Sequence, residues 1–596
     1  MNKKNFQYDA LIIIDENINH DFISIKKKLE DENKDKKFLA IIIDYRNYSV
    51  KEKNLIKSYS DDLNLDILMF TLRHEYKKII IKKNKNFDLW KKIIKLNWIF
   101  YCLDVYKIPE AYLSNDLIQN LNFKYTSKLD LFFRVKKLIN KKINFLKKKF
   151  NKNTYSFLNL INRINSKNIS NINIQFFRQY KNKNPNKKFV DQINKKNKDL
   201  FWMGFDNNFI DVPWEKKYET TKWSKKFKKN KLLFEDKLKY CTRCCQPETM
   251  EGISFDDFGI CTSCRSSEEK MDINWKNKDI ELKKILKSYS QKKYYDCLLP
   301  FSGGKDSTFQ AHMLSKVYKV HPLVVTHGTN WMSLTGRYNL ANSLNNFNLD
   351  HLFFLPNRKL VNKVAKKSSK MIGDACWHCH IGTQTFPIQT ALKWKIPCMI
   401  YGESIAERDG RGSYKKIIKK ENKYFYGLKV SAKVNPMQYA DNDIKKSELQ
   451  IWNYPKKKEL IKSDIYYLHL GDFIFWDEQK QTEFIINEYK WMCNKKVENT
   501  YKGYKSNECV MAGVHDYFNF IKRGVGRSTL QASDDVRRGL ITREEAIELI
   551  HKHDPERPHA LDYYLNITKS KESEVEKLIL LSRNKSKFAS KINKIK

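Results

Sequence analysis

Short apolar runs separated by charged segments recur along the 596-residue chain and predict an alternating α/β fold. Near the N-terminus the runs YDALIIID, KFLAIIIDY and LDILMFTL indicate strands of a small α/β unit. A second set follows in the C-terminal half: YYDCLLP, VHPLVVTHGTNW, LDHLFFLP and IPCMIYGES. Because helical segments separate its members, we expect this second set to form a parallel, doubly wound sheet.

The chain is strongly basic, with a net charge of +45 at pH 7, and lysine supplies almost all of the excess. A polyanionic partner and a composition biased towards lysine, asparagine and isoleucine explain this charge equally well. No apolar run approaches the ~20 residues of a membrane span, and MNKKNFQYDALIIID lacks the pattern of a signal peptide. We therefore expect a cytoplasmic protein whose twelve cysteines are reduced thiols or metal ligands.

Several of these cysteines lie together in CTRCCQPETMEGISFDDFGICTSC. Cys241 and Cys244 form one C-x-x-C pair, and sixteen residues separate it from a second pair. That second pair is Cys261 and Cys264. The spacing predicts a zinc ribbon with four thiolates on one Zn²⁺ ion, and Cys245 lies outside it. Because all four positions of a tetrahedral ion are filled, the predicted role of the zinc is structural.

The stretch FSGGKDSTFQ follows the YYDCLLP run and precedes a helical segment. Its small residues let backbone N–H groups approach a phosphate, the helix N-terminus adds its dipole, and lysine adds a charge. It is not a Walker A loop, because its two glycines are adjacent. SGGKDS after a strand resembles the pyrophosphate loop of ATP pyrophosphatases, which cleave ATP between the α and β phosphates. The predicted ATP-binding residues are Ser302, Gly303, Gly304, Lys305, Asp306, Ser307 and Thr326.

Ligands of doubly wound sheets bind at the carboxyl ends of the strands, which places residues 302–307, 326–330 and 402–404 along one crevice. In this loop Lys305 is predicted to neutralise phosphate charge, and Asp306 to bind Mg²⁺ or shape the loop. The catalytic candidates in and near the crevice are Lys305, Asp306, Ser307, Cys379, His380 and Glu403.

The segment CWHCH has three interpretations. Cys376 and Cys379 have metal-ligand spacing, and His378 and His380 add nitrogen donors, which suits a second metal ion or an iron–sulfur cluster. Alternatively, Cys379 or His380 lines the substrate crevice and moves protons, or the segment is a buried structural turn. Two roles are likewise open for Glu403, as a hydrogen-bond acceptor for substrate or as a satisfied carboxylate at a strand end.

Arginine is informative in a chain that uses lysine nearly everywhere. Arg523 and Arg527 lie beside glycines in KRGVGRST, and planar guanidinium groups suit carboxylate or phosphate oxygens. We predict that both bind a substrate anion, with ion pairing on a helix surface as the alternative. For Arg543, in TREEAIELI, helix-surface pairing is the preferred interpretation.

Five motifs, in this order, carry a family resemblance: CTRC, DDFGICTSC, YDCLLPFSGGKDSTFQ, CWHCHIG and HDYFNFIKRGVGRSTLQASDDVRRGLITREEAIELI. Together they cover about residues 238–560, and in this combination the chain resembles the N-acetyl sugar amidotransferases. These PP-loop enzymes act in bacterial lipopolysaccharide, capsule and flagellin glycan biosynthesis, on sugars such as pseudaminic acid. The resemblance implies an ATP-dependent enzyme that converts an acetamido sugar into an acetamidino sugar.

The resemblance also implies partners and a reaction. Ammonia would come from a glutaminase and a synthase subunit that resemble the two parts of imidazole glycerol phosphate synthase. An acetamide carbonyl is a poor electrophile, so adenylation of its oxygen would create AMP as the leaving group that ammonia displaces. Mg²⁺ and fixed cations would spread the charge on pyrophosphate.

Together, these patterns predict a doubly wound parallel α/β sheet of the PP-loop ATP pyrophosphatase type, with further segments around it. The predicted segments are a small α/β extension (1–120), a basic helical and linker region (121–236), a zinc ribbon (237–275), the PP-loop domain (276–470) and a helical C-terminal region for substrate or partner (471–596).

Two other functions fit parts of the sequence. A PP-loop enzyme that thiolates or amidates tRNA would explain the basic charge directly, but no arrangement typical of an RNA-binding module precedes residue 240. The other is a non-catalytic zinc-ribbon binding protein, and the intact SGGKDS stretch argues against it. We therefore expect a sugar or nucleotide-sugar substrate and no nucleic-acid partner.

Overall fold

The computed structural model describes most residues from 238 to 577 and separate elements before them. The described residues are 8, 10–14, 37–43, 65–71, 96, 99–100, 103, 110–114, 131–138, 140, 173–177, 238–290, 295–406, 414, 434–463, 465–494 and 497–577.

Within these residues, ten strands form one sheet. In chain order they are β1 (Ala10–Ile14), β2 (Phe38–Ile43), β3 (Leu65–Thr71), β4 (Glu110–Ser114), β5 (Asn173–Phe177), β6 (Cys297–Pro300), β7 (Pro322–His327), β8 (Asp350–Leu355), β9 (Cys398–Tyr401) and β10 (Tyr466–His469). Their spatial order is β10-β9-β6-β7-β8-β3-β2-β1-β4-β5. All neighbours pair in parallel except β3 and β8, so one antiparallel pairing joins two parallel halves.

The two halves have the same topology. In each, the first strand of the half is central, the second and third follow on one side, and the fourth and fifth lie on the other. The halves meet through their third strands, where Ile67 of β3 pairs with Leu355 of β8 and Thr71 pairs with His351. Because equivalent strands pair antiparallel, a local two-fold axis relates the halves, and the carboxyl ends of their strands lie at opposite edges of the sheet.

The helices pack around this sheet and extend beyond it in the C-terminal region. Those with described bounds are α1 (Thr262–Met271), α2 (Trp275–Tyr289), α3 (Lys305–His312), α4 (Leu334–Phe347), α5 (Arg358–Ile372), α6 (Trp377–Trp394), α7 (Lys457–Ser463), α8 (Glu478–Tyr489), α9 (Ala512–Arg523), α10 (Arg527–Arg537), α11 (Arg543–His553) and α12 (Ala560–Thr568). Residues 131–138 are also helical. Among the described helices, none is both long enough and apolar enough to cross a membrane.

Strand burial follows from the parallel arrangement. Every residue of β7 and β8 is buried, as expected for strands covered on both faces. Successive side chains alternate between two hydrophobic clusters, so that Leu323 of β7 lies in one cluster and Val324 in the other. Both clusters continue into the N-terminal half, through Leu11 in the first and Ile12 in the second. The two halves therefore share their hydrophobic cores.

The seven apolar runs named above each contain a strand, which confirms a mixed α/β protein with a mainly parallel sheet and a helical C-terminal region. The structure adds β4, β5 and β10. Strand β5 lies in the segment 121–236, which was predicted as helix and linker. Strand β10 has four residues, as do β6 and β9, and pairs at the sheet edge with β9. The five segment boundaries remain predictions.

A buried carboxylate links the two halves. Asp66 on β3 accepts hydrogen bonds from the Tyr8 hydroxyl at 2.8 Å and from the Asn357 backbone N–H at 2.9 Å. Its carboxylate also pairs with the Lys37 ammonium at 3.1 Å, and both charged side chains are almost fully buried. Loss of one partner in such a pair leaves the other charge buried and uncompensated.

We expect Asp66→Ala to lower the free energy of unfolding by about 3–5 kcal/mol, because Lys37 would lose its counter-charge inside the protein. Urea unfolding followed by tryptophan fluorescence measures the change. Glu281→Ala is the matched control, since its ion pair with Lys278 lies at the surface of α2 and is expected to contribute less than about 0.5 kcal/mol. Equal effects of the two variants would contradict the linking role of Asp66.

Candidate functional site

The loop between β6 and α3 lies at the carboxyl edge of the C-terminal half of the sheet. Gly303 has a φ angle of +78°, and a Cβ added there would lie 2.7 Å from Cα of Leu340 in α4. This position therefore requires glycine both for its backbone conformation and for space. Gly304 is the N-cap residue of α3 and has an extended backbone. The loop is thus a sharp turn packed directly against a neighbouring helix.

Two serine hydroxyls approach each other across this loop. The Oγ atoms of Ser302 and Ser307 are 3.4 Å apart. Ser302 Oγ accepts the Gly304 N–H at 3.2 Å, and Ser307 Oγ donates to the Gly304 carbonyl at 3.1 Å. Hydroxyl groups and backbone N–H groups are therefore concentrated at the N-terminus of α3, where the helix dipole favours an anion.

Two lysines meet one buried carboxylate beside the loop. The Lys305 ammonium lies 2.8 Å from the Glu478 carboxylate and also contacts Asp306. The Lys505 ammonium contacts the same Glu478 carboxylate. Lys305, Lys505 and Glu478 are each less than a tenth exposed. Lys505 and Glu478 are not among the residues predicted from the sequence, because neither lies in a motif and lysine is too frequent in this chain to be a signal.

The segment after α8 lies against the same loop. Trp491 Nε1 donates to the Gly303 carbonyl at 3.0 Å. The Glu508 carboxylate lies 3.5 Å from the place that a Cβ on Gly304 would occupy. The Ser333 backbone N–H, at the N-cap of α4, donates to the Glu508 carbonyl at 3.1 Å. The C-terminal region therefore forms one wall of the candidate site.

The structure brings the three predicted crevice segments together. The Thr326 hydroxyl, at the end of β7, donates to the Phe301 carbonyl at 2.6 Å and also lies 2.8 Å from Nε2 of His351. A side chain at Gly402, after β9, would clash with Gln310 of α3. The Glu403 carbonyl accepts a hydrogen bond from Nδ1 of a histidine at the end of β10, 2.7 Å away. The ends of β6, β7 and β9 thus border one another, as the topology predicts.

The CWHCH residues occupy different environments around the start of α6. Burial raises the pKa of the Cys376 and Cys379 thiols, so both remain protonated near neutral pH. Burial lowers the pKa of His378 to about 3, and its ring packs edge-on against Trp331. His380 instead lies in a compact group of possible metal ligands with Asp374 and His515. Among the described residues, neither cysteine of CWHCH belongs to this group.

Both predicted anion-binding arginines have carboxylate partners. Arg527 Nε donates to Asp516 at 2.8 Å, and Arg523 Nη1 lies 3.4 Å from Glu251. Each arginine side chain is about a quarter exposed. Substrate binding by either arginine remains a prediction, and it would require an exchange of these partners. Arg543 donates through Nε to the backbone carbonyl of Cys244 at 3.3 Å, next to the cysteine cluster.

The four predicted zinc ligands form a compact, buried cluster. The Sγ atoms of Cys241 and Cys264 are 3.8 Å apart, and those of Cys244 and Cys261 are 3.7 Å apart. Thiolates bound to one tetrahedral zinc ion at about 2.3 Å lie roughly 3.8 Å from each other. The cluster can therefore hold a structural zinc ion. Burial raises the pKa of the neighbouring Cys245 to about 12, and this thiol lies outside the cluster as predicted.

Contacts tie this cluster to the C-terminal helices. Arg537 of α10 donates to the Cys244 sulfur at 3.9 Å, and the Cys245 thiol donates to the Arg543 carbonyl at 3.7 Å. The Thr249 hydroxyl donates to the carbonyl of Arg523 at the end of α9. The cysteine cluster thus supports the same helical region that forms a wall of the candidate site.

Comparison with known families locates one match in this region. Residues 498–596 match the family described as "LPS biosynthesis protein WbpG-like, C-terminal domain". The match begins just before Lys505 and includes α9 to α12. This match is consistent with a role of the chain in lipopolysaccharide sugar biosynthesis. No curated protein shows a significant match to the chain.

We expect Cys264→Ser to remove one equivalent of zinc from the purified protein, because a tetrahedral site loses most of its affinity when a thiolate is lost. Metal analysis by mass spectrometry measures the zinc content per chain. Cys245→Ser is the matched control: it changes an adjacent buried thiol outside the cluster and should leave the zinc content unchanged. Equal zinc contents in the two variants would rule out the four-thiolate site.

A second prediction concerns the loop. Gly303→Ala should lower the free energy of unfolding by about 1–2 kcal/mol, because alanine is strained in a left-handed backbone conformation. The clash of the added Cβ with Leu340 should lower it by about 1–3 kcal/mol more. Gly539→Ala is the control, because Gly539 has a similar φ of +71° but no atom within 4 Å of an added Cβ. Urea unfolding compares the two. If both substitutions lowered the free energy of unfolding by the same amount, the close approach to α4 would not constrain the loop.

Proposed function

We propose that this chain is an ATP-dependent amidotransferase that converts an acetamido sugar into an acetamidino sugar in lipopolysaccharide or a related surface glycan. One observation carries the proposal: the glycine-serine loop at a strand carboxyl end has two buried lysines beside it. The LPS biosynthesis match in the adjoining C-terminal region supports the pathway. The resemblance of the motifs to N-acetyl sugar amidotransferases supports the reaction.

The loop has the groups that a triphosphate needs. Backbone N–H groups and the hydroxyls of Ser302 and Ser307 would donate to phosphate oxygens. Lys305 and Lys505 would neutralise phosphate charge, because both ammonium groups already lie together beside the loop. Mg²⁺, when bound, would offset the negative charge that develops on pyrophosphate, and Asp306 is the carboxylate at the loop best placed to hold it.

The proposed reaction has two balanced steps. First, the acetamide oxygen attacks the α phosphorus of ATP: an oxygen–phosphorus bond forms, the bond to the bridging oxygen breaks, and pyrophosphate leaves with that electron pair. The amide nitrogen releases its proton to solvent, which gives an O-adenylated imidate. Next, ammonia attacks the imidate carbon, the carbon–oxygen bond breaks, and AMP leaves with the former amide oxygen. Proton transfer from the added nitrogen completes the amidine.

In this proposal the buried lysines act where charge develops. Pyrophosphate gains negative charge as it leaves, and ammonium groups fixed in a water-poor site stabilise that charge more than they would in water. Glu403, after β9 at the same edge, is the candidate to contact ammonia or a sugar hydroxyl. Ammonia itself is assigned to a separate glutaminase and synthase pair, so an ammonium salt should replace them in vitro.

The direct test is to incubate the purified protein with candidate acetamido sugars, ATP, Mg²⁺ and an ammonium salt, and to follow sugar mass, AMP and pyrophosphate together. We expect the mass change of oxygen replaced by NH, with one AMP per product. Lys305→Ala and Lys505→Ala should each lower the rate about 10²–10³-fold, because each removes a charge that stabilises the transition state. Lys370→Ala is the control, since Lys370 on α5 forms an exposed ion pair with Glu574 outside the loop.

Two outcomes would overturn the proposal. If AMP formed only after addition of tRNA and every sugar stayed unchanged, the protein would be an RNA-modifying enzyme instead. If Lys305→Ala and Lys505→Ala were as active as Lys370→Ala, the loop would have no role in cleaving ATP.

A further inference from the structure

A second group of potential metal ligands lies apart from the four cysteines. Asp374 is in the turn between α5 and α6, His380 is in the first turn of α6, and His515 is in the first turn of α9. The Asp374 carboxylate lies 3.4 Å from Nδ1 of His380 and 3.3 Å from Nδ1 of His515. One ligand atom from each residue lies within 4.8 Å of the other two. Three ligand atoms from two distant parts of the chain therefore face one point.

These separations fit metal coordination better than direct ion pairing. A charge-assisted hydrogen bond between imidazolium and carboxylate is about 2.7–2.9 Å long. Two nitrogen or oxygen ligands of one tetrahedral zinc ion, each about 2.0–2.1 Å from the metal, lie roughly 3.3–3.4 Å apart. The observed separations, 3.4 Å from Oδ2 to Nδ1 of His380 and 3.3 Å from Oδ1 to Nδ1 of His515, exceed the first value and are of the size of the second, with a different carboxylate oxygen facing each imidazole.

Neighbouring groups hold two of the three ligands in orientation. The backbone N–H of Cys376 donates to the Asp374 carboxylate at 2.7 Å. The side-chain Nδ2 of Asn519 lies 2.9 Å from Nε2 of His515. Rotation of this amide by 180° would bring its oxygen to the ring, where it would accept a hydrogen bond from Nε2–H and leave the Nδ1 lone pair for a metal ion. A histidine that binds a metal usually donates its second ring N–H to such a partner.

The charge balance and access also suit a cation. Asp374 contributes a negative charge, and the nearby Arg527 guanidinium is offset by its ion pair with Asp516 at 2.8 Å. The side chains of Asp374, His380 and His515 are 18, 33 and 21% exposed, so an ion can enter from solvent.

The cluster lies at the same edge of the sheet as the candidate site. A side chain at Gly382, one turn after the start of α6, would clash with His327 at the carboxyl end of β7. Glu508, which borders the loop at Gly304, precedes α9 by only a few residues. The helices that carry the cluster therefore pack near the edge at which the strand ends meet.

We propose that Asp374, His380 and His515 bind a divalent transition-metal ion of the zinc type. One carboxylate and two imidazoles are a donor set that such ions accept. Three protein ligands leave a fourth position open, in contrast to the closed cysteine site. That position takes a small oxygen or nitrogen ligand, such as water or ammonia. The proposal does not depend on the amidotransferase reaction.

Metal analysis of the full-length protein, saturated with Zn²⁺ and freed of excess ion, tests the proposal. We expect two equivalents in the wild type and one in each of Asp374→Asn, His380→Ala and His515→Ala. The equivalent that remains in these variants is held by the cysteines, so its retention also shows that the protein is folded. His551→Ala, on α11, is the control and should keep both equivalents.

Cobalt gives a second readout that separates the two sites. Co²⁺ at the cysteine cluster produces thiolate-to-metal charge-transfer bands, whereas Co²⁺ bound by Asp374 and two imidazoles produces only visible ligand-field bands. We expect His515→Ala to remove the ligand-field bands of the Asp374 site and to keep the thiolate charge-transfer bands. Cys264→Ser should remove the charge-transfer bands and keep the ligand-field bands of the Asp374 site. One metal equivalent in the wild type, or a second equivalent that persists in His515→Ala and Asp374→Asn, would overturn the proposal.

Discussion

Two lysine ammonium groups converge on the Glu478 carboxylate at a place with little access to water. Without that carboxylate the like charges would repel strongly, because a protein interior screens charge poorly. Lys305 begins α3, Glu478 begins α8, and Lys505 belongs to the segment after α8. This one interaction therefore fixes the loop, a helix and the C-terminal wall relative to one another. The candidate site exists because these three elements meet.

The doubled topology explains what the N-terminal half contributes. Its strands have the same order as those of the C-terminal half, but β1 is followed by DENINHDF, which contains no glycine. The antiparallel pairing of β3 with β8 also turns its strand ends away from the loop. This half instead extends both hydrophobic cores, and Asp66 connects it to Asn357, two residues after β8. Its described strands thus extend the sheet beyond β8, and their carboxyl ends lie at the edge opposite to the candidate site.

The C-terminal region, which matches the LPS biosynthesis family, is part of both ligand sites. It supplies Lys505 beside the loop and His515 to the second ligand cluster, while Arg537 contacts the cysteine cluster. The two groups of possible metal ligands differ in a way that predicts different roles. Four thiolates close a coordination sphere and stabilise structure, whereas one carboxylate and two imidazoles leave a position for a reacting ligand.

Local signals in the sequence were enough for seven of the ten described strands, the loop and the cysteine cluster. Buried parallel strands are continuous apolar runs, a left-handed turn against a helix needs glycine, and two C-x-x-C pairs make a tetrahedral site within one short segment. The tertiary structure alone decided that Lys505 joins Lys305, that His515 joins Asp374, and that the two halves pair through their third strands. Residues so far apart along a chain come together only when helices and strand ends pack. The spacing of residues within one motif therefore does not predict these contacts.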